Sequence, residues 1–187
     1  MLVSGGGGRL GVTIERLRAD EGPLLRELRL AALADSPTAF GQRLDEAAAQ
    51  ADDEWQTSAR AASSGDRRAW FIARLDGRAV GLVQGRRRPP HDCLVFSMWV
   101  APDARRTGAG RALLDAVDEW ASGWGGRQVV LWVIAGNDVA LGFYRRLGFK
   151  LLRSGPDASS GIVYGALAMS RPIRRSVAGA AGGQDVG

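Results

Sequence analysis

A two-residue turn, Asp76-Gly77, narrows the folds open to this chain more than any other feature. It stands between two apolar runs, Arg68–Leu75 and Arg78–Arg86. Asp-Gly accepts positive φ at both turn positions, so the spacing predicts a tight antiparallel hairpin. Beyond the hairpin the pattern changes. Arg87–Asp92 holds Pro89-Pro90 and reads as loop. Cys93–Val100 is a strand, Gly108–Ser122 a helix with Leu113, Val117 and Trp120 on one face, and Gln128–Ile134 a buried strand. A strand–helix–strand unit makes a parallel pair, whereas a hairpin makes an antiparallel one. One sheet holding both is mixed, with helices on both faces, and the fold class is α/β (α+β).

The remaining elements fit around that sheet. Val12, Ile14 and Leu17 open a first strand. Asp20–Ala34 reads as a helix, with Pro23 in its first turn and Asp35-Ser36-Pro37 as its stop. Asp45–Ser64 is a second helical stretch, broken near Asp52-Asp53. Asp138–Leu147 is a short helix closed by Gly148, and Lys150–Arg153 and Ile162–Met169 are two final strands. The chain of 187 residues suits one domain, placed at 12–172. The flanks 1–11 and 173–187 are small, polar and glycine-rich, and are expected to be flexible.

Composition removes several functions. Cys93 and His91 are each the only residue of their type, so metal sites built on Cys or His and Ser/His or Cys/His catalytic pairs are not available. No metal is expected. The net charge of +5 is carried almost wholly by arginine, since Lys150 is the one lysine. No basic stretch is interleaved with aromatics, so no nucleic acid is expected as partner. No apolar run reaches membrane-spanning length, and the start lacks a secretory signal's apolar centre. A cytoplasmic protein with no membrane partner is the expectation.

The chemistry lies in two segments. The first is Val100-Ala-Pro-Asp-Ala-Arg105-Arg106-Thr107-Gly108-Ala109-Gly110-Arg111, between a buried strand and an amphipathic helix. A helix start offers unpaired N–H groups and partial positive charge, which suit a phosphate. Gly108 and Gly110 allow close backbone approach, and Arg105, Arg106 and Arg111 can add charged donors. A bare Gly-x-Gly means little in a chain with 26 glycines; roughly three or four such matches arise by chance, so context decides. The segment is not a nucleotide P-loop, because no Gly-Lys-Ser/Thr comes after it. It is not the dinucleotide fingerprint, because Leu113 stands where the third glycine belongs. The second segment is Asn137–Phe149. Asn137, Ala140 and Tyr144 share one helix face and could line a ligand; equally, Asn137 or Asp138 could cap the helix, Ala140 pack, and Tyr144 be a half-buried aromatic.

Together the two segments resemble the GCN5-related N-acetyltransferase (GNAT) superfamily, over about Val12–Pro172 and most strongly over Ser97–Phe149. The resemblance implies a GNAT-like sheet in which the parallel strands Cys93–Val100 and Gln128–Ile134 splay apart. It implies acetyl-CoA as cosubstrate, its pantetheine arm against Met98, Trp99 and Val100, where one N–H polarises the thioester carbonyl. Arg105, Arg106, Thr107, Gly108, Ala109, Gly110 and Arg111 would hold the pyrophosphate. Asn137 and Ala140 would face the pantetheine, and Tyr144 would protonate the departing thiolate. The implied activity is acetyl transfer to a primary amine, of a small molecule, by direct attack, without Cys93 as acyl carrier. A protein N-terminus or lysine as acceptor is an alternative, and a non-catalytic acyl-CoA-binding module is an alternative of another class. Homodimers are common in the family.

The chain departs from its relatives at one point. Many place a glutamate on one of the splayed strands; here neither carries an acid, and Trp132 occupies that region. Asp45, Glu46, Glu54, Asp92 or a water chain stay open as base. Phe40, Trp55, Trp99 and Trp132 are candidate acceptor-pocket aromatics, and Ala34–Gly41 is the expected acceptor-side wall.

Overall fold

The computed structural model describes residues 11–153 and 165–174. The chain order is β1 (Val12–Arg16), α1 (Gly22–Asp35), α2 (Leu44–Ala48), α3 (Asp52–Ser63), β2 (Arg68–Leu75), β3 (Arg78–Arg88), β4 (Asp92–Val100), α4 (Ala109–Gly123), β5 (Gln128–Ile134), α5 (Asp138–Arg146), β6 (Lys150–Leu151) and β7 (Ala166–Pro172). A single 3₁₀ turn, Pro102–Ala104, precedes α4. The expected break in the second helical stretch separates α2 from α3. The start of the predicted last strand, 162–164, lies outside the described residues, as do nearly all of the two flanks expected to be flexible.

One seven-stranded sheet runs β1-β2-β3-β4-β5-β7-β6. Every pairing is antiparallel except β4 with β5. The Asp76-Gly77 turn has φ of 51° and 81°, the left-handed pair that a two-residue hairpin needs, and Leu75 pairs Arg78 across it.

Helix α4 packs on one face of the sheet. A methyl group at Gly81 would meet Leu113 of α4, and one at Gly85 would meet Trp120, so these glycines let the helix lie close. Side chains alternate along a strand. Leu82, Gln84 and Arg86 therefore point to the other face, where α1 also contacts β3. Helix α1 buries Leu25, Leu28, Ala32 and Leu33 at helical spacing. It meets α3 so closely at Gly22 that a Cβ there would lie 2.7 Å from Gln56. Across the sheet a buried ion pair joins α4 to β7: Arg171 donates to Asp118 Oδ1 at 3.0 Å and stands 2.8 Å from Oδ2. Among the described residues, no helix is long and apolar enough to cross a membrane.

Candidate active site

The site begins with a fault in a strand. Leu82 pairs Trp99 and Gln84 pairs Phe96, so Ser97 and Met98 of β4 stand opposite Val83 alone. Ser97 has φ of 54°, a left-handed conformation unusual for a residue with a side chain. Such a bulge bends its strand away from regular pairing. The consequence appears on the other edge of β4. Its parallel ladder with β5 covers only Asp92↔Gln128, Cys93↔Val129 and Leu94↔Val130, and then stops. Beyond that point β4 stays bonded to β3 and β5 stays bonded to β7 along its whole length. The two facing edges, from Val95 and from Leu131 onward, have no ladder partner. Backbone polar groups on such edges need partners from elsewhere.

A cavity of about 330 Å³ opens where the strands part. Its walls include Val95–Met98 of β4, Leu131–Ile134 of β5, and Asn137, Ala140 and Tyr144. The helix face read from the sequence is thus brought onto the cavity. Asn137 also caps α5, its Oδ1 accepting from the Ala140 N–H at 3.1 Å, so the same residue caps the helix and stands in the cavity wall. Tyr144 is buried, with edge-to-face contacts to Phe143 and Phe149 at 5.2 and 5.5 Å. Burial pushes its phenol well above the usual range, so the group stays O–H at neutral pH.

The Arg105–Arg111 segment comes directly after β4. Arg106 and Gly108 have φ of 68° and 96°, and Gly108 sits at the N-terminus of α4 with no side chain capping it. The Ala109 N–H donates to Thr107 Oγ1 at 3.4 Å, while a helix start leaves its other first-turn N–H groups without intrahelical partners. Thr107 Oγ1 donates to Ala104 O at 2.7 Å and fixes the turn. Arg106 and Arg111 are exposed and make no ion pair with a described residue. Arg105 is different. Its guanidinium is bound to Asp35 and its Nε donates to Val100 O at 3.1 Å. Trp99 Nε1 donates to the same Asp35 carboxylate at 2.9 Å. Burial alone would raise that carboxyl's pKa, but bonds from Trp99 and Ser36 and the Arg105 cation outweigh it and hold it below its ordinary value. Arg105 thus ties the end of α1 to β4 and has less freedom for a phosphate than its neighbours. Gly110 serves packing: a methyl there would lie 3.0 Å from Phe143 and 3.5 Å from Met98.

Two of the aromatics expected in an acceptor pocket are elsewhere. Trp55 lines a separate depression with Pro23, Arg26 and Asp52, because it sits on α3 beside α1. Trp99 is spent on Asp35. Phe40 and Trp132 do line the cavity, Trp132 stacking on Phe96 at 6.0 Å. Of the open bases, none is in the cavity wall. Asp45 pairs Arg43, Glu46 caps α2, and Asp92 pairs Arg88 at the closed end of the strands. Cys93 is buried at that same end and its thiol is pushed up to about 12, chiefly by burial and further by Asp118, which removes it as a ready nucleophile. The cavity also holds residues that no sequence motif singles out: Arg29, Gln42, Arg86, Phe96 and Ser97.

The sheet is mixed, with its β4–β5 parallel pair parted after Leu94 and Val130 and the left-handed Gly108 opening α4 nearby. The chain belongs to the Acetyltransferase (GNAT) family, whose sequence pattern matches residues 30–149. It is 38% identical over 85 residues to an uncharacterised N-acetyltransferase of Mycobacterium tuberculosis, covering 46% of this chain and 54% of that protein. An uncharacterised N-acetyltransferase of Methanocaldococcus jannaschii is 33% identical over 97 residues, covering 46% of this chain and 40% of the other. The matches thus span about half the length of these relatives. An acetyltransferase of the GNAT family from Streptococcus pneumoniae shares the fold at a TM-score of 0.69 and 20% identity, over 88% of this chain and all of that one. The PaiA N-acetyltransferase of Thermoplasma acidophilum, solved with coenzyme A, shares it at 0.61 and 14%, over 87% and 99%.

Proposed function

We propose that this chain transfers an acetyl group from acetyl-CoA to the primary amine of a small molecule. The observation that carries the proposal is the parting of β4 from β5 after Leu94 and Val130, with Tyr144 on the wall of the gap. The free strand edge at Met98–Val100 would bond the pantetheine arm, and one of its N–H groups would stabilise charge on the thioester oxygen. Arg106–Arg111 would hold the pyrophosphate. The amine nitrogen would bond to the acetyl carbon as the carbon–sulfur bond breaks. Tyr144 would give its proton to the leaving sulfur and regain one from the new ammonium through solvent. A cavity of this size favours a small acceptor over an extended peptide.

Gly108→Val tests the coenzyme side. Val at a φ of 96° costs about 1–3 kcal/mol or forces the loop to rearrange. The expected result is a roughly tenfold rise in the acetyl-CoA Kd by titration calorimetry. An unaltered Kd removes the loop from the coenzyme site.

The acceptor side makes a pH prediction. Among the described residues the cavity wall holds no Asp, Glu, His, Lys or Cys, and the proposed mechanism therefore takes the amine in its neutral form. The cations Arg29 and Arg86 favour this, since nearby positive charge lowers an ammonium's pKa. Below the amine's pKa its neutral fraction falls about tenfold per pH unit. The rate constant kcat/KM should track that fraction, with an inflection that moves as acceptors of different basicity are compared. An inflection fixed at one pH for all acceptors would reveal a base on the enzyme.

A further inference from the structure

The cavity contains an arginine that has no assigned partner in the transfer steps above. Arg29 lies on the buried stripe of α1, one turn from Leu25 and from Leu33, and is only 5% exposed. Its side chain runs over the Phe40 ring, 5.1 Å from the centroid, and lines the cavity. Nη2 donates to Gln42 Oε1 at 2.9 Å. Nη1 is buried and has no hydrogen-bond partner. No carboxylate of a described residue comes within ion-pair distance of it. Burial lowers its pKa to about 10, which still leaves it charged at neutral pH. A buried cation without a counterion is costly by several kcal/mol, and an unpaired buried N–H adds to that.

A second arginine faces the same space. Arg86 lies on the same face of β3 as Gln84, with its guanidinium 4.7 Å over Phe96 and its Nε bound to the Gln84 side chain. It also has no ion pair among the described residues. The described wall therefore carries two cations, from α1 and β3, and no acid. Guanidinium groups bind oxyanions through parallel N–H donors, and do so most strongly where water is excluded. The coenzyme does not account for this charge: the pantetheine arm is neutral, and its phosphates belong with the Arg106–Arg111 loop.

We infer that the acceptor is an amine that also carries an oxyanion, as an amino acid does, with the oxyanion held by Arg29 and Arg86 while the amino group reaches the thioester. This inference rests on the acetyl-transfer reading, and it names the substrate class of the same cavity. The oxyanion supplies the counterion that Arg29 lacks and takes up the free Nη1 donor. Phe40 and Phe96 flank the two guanidinium groups and limit the room around them.

The test uses matched acceptors with the full-length protein: α- and ω-amino acids beside their primary amides, and aminoalkyl phosphates beside the corresponding amino alcohols. Coenzyme A thiol release gives kcat/KM for each. The charged member of at least one pair type should exceed its neutral partner by about tenfold or more. The carboxylate and phosphate pairs show which oxyanion fits. Arg86→Gln, at an exposed position, should bring the ratio toward one while the acetyl-CoA Kd stays as in the wild type; Arg29→Met should do the same. Equal turnover of charged and neutral members by the wild type overturns the inference, as does a preference that survives both substitutions. If no amine is acetylated, the transfer reading fails and the melting temperature of the acetyl-CoA-loaded protein decides the anion site. Charged acceptors should raise it and neutral partners should not, with the rise lost in Arg86→Gln; equal shifts for both overturn the site.

Discussion

Tyr144→Phe should lower kcat by about a hundredfold and leave the acetyl-CoA Kd nearly unchanged, since positioned proton transfer contributes roughly 10²–10⁴ in rate. The substitution removes one oxygen. The ring keeps its edge-to-face contacts with Phe143 and Phe149, so packing and α5 should be preserved. Because burial raises its pKa, the wild-type phenol is a neutral donor throughout the working pH range. Its hydroxyl has no hydrogen bond to a described residue and is free to serve a ligand. The loss should shrink for acyl donors whose thiol has a lower pKa, because a better leaving group needs less protonation. Steady-state rates set against calorimetric affinity check this. A kcat within about twofold of wild type would take the acid role from Tyr144.

Asp118→Ala should destabilise the fold by about 3–5 kcal/mol, because it strands a buried cation. Asp118 and Arg171 are 2% and 4% exposed and meet through both carboxylate oxygens. Arg171 also lies 4.8 Å over Phe149, which packs on Tyr144. With the carboxylate gone, the guanidinium either stays buried without a counterion or leaves and opens a void. Urea unfolding should show a lower midpoint with a similar slope. The double replacement Asp118→Leu, Arg171→Met should recover much of the loss, since apolar packing can replace a buried pair. A loss under about 1 kcal/mol for Asp118→Ala would mean the pair has no net role in holding α4 to β7.

Local chemistry made much of the fold legible. Asp76-Gly77 names its own turn, and the apolar runs beside it pair as the spacing predicts. The break between α2 and α3 and the helix end at Gly148, with φ of 88°, were equally local. The bulge at Ser97, with φ of 54°, was not, because nothing in Phe96-Ser97-Met98 marks a left-handed residue. Arg105 shows the same limit. In an arginine-rich loop no local signal separates the one bound to Asp35, seventy positions away, from those left to face a ligand. Trp55 looked like a pocket aromatic but serves the α1–α3 contact, which only the helix arrangement reveals. Arg29 did leave a trace: a charge on the apolar stripe of an amphipathic helix breaks the pattern, and such breaks tend to mark sites.

The gap between β4 and β5 is assigned the task of presenting acetyl-CoA to an amine. The most direct measurement of that is amine-dependent release of coenzyme A thiol from acetyl-CoA, with mass spectrometry of the acceptor. Free thiol and N-acetylated amine should appear in equal amounts, and the rates of both should fall together by about a hundredfold when Tyr144 is replaced by Phe. Tight acetyl-CoA binding without amine-dependent thiol release, across acceptors of every charge, would contradict the assignment and leave a coenzyme-binding module.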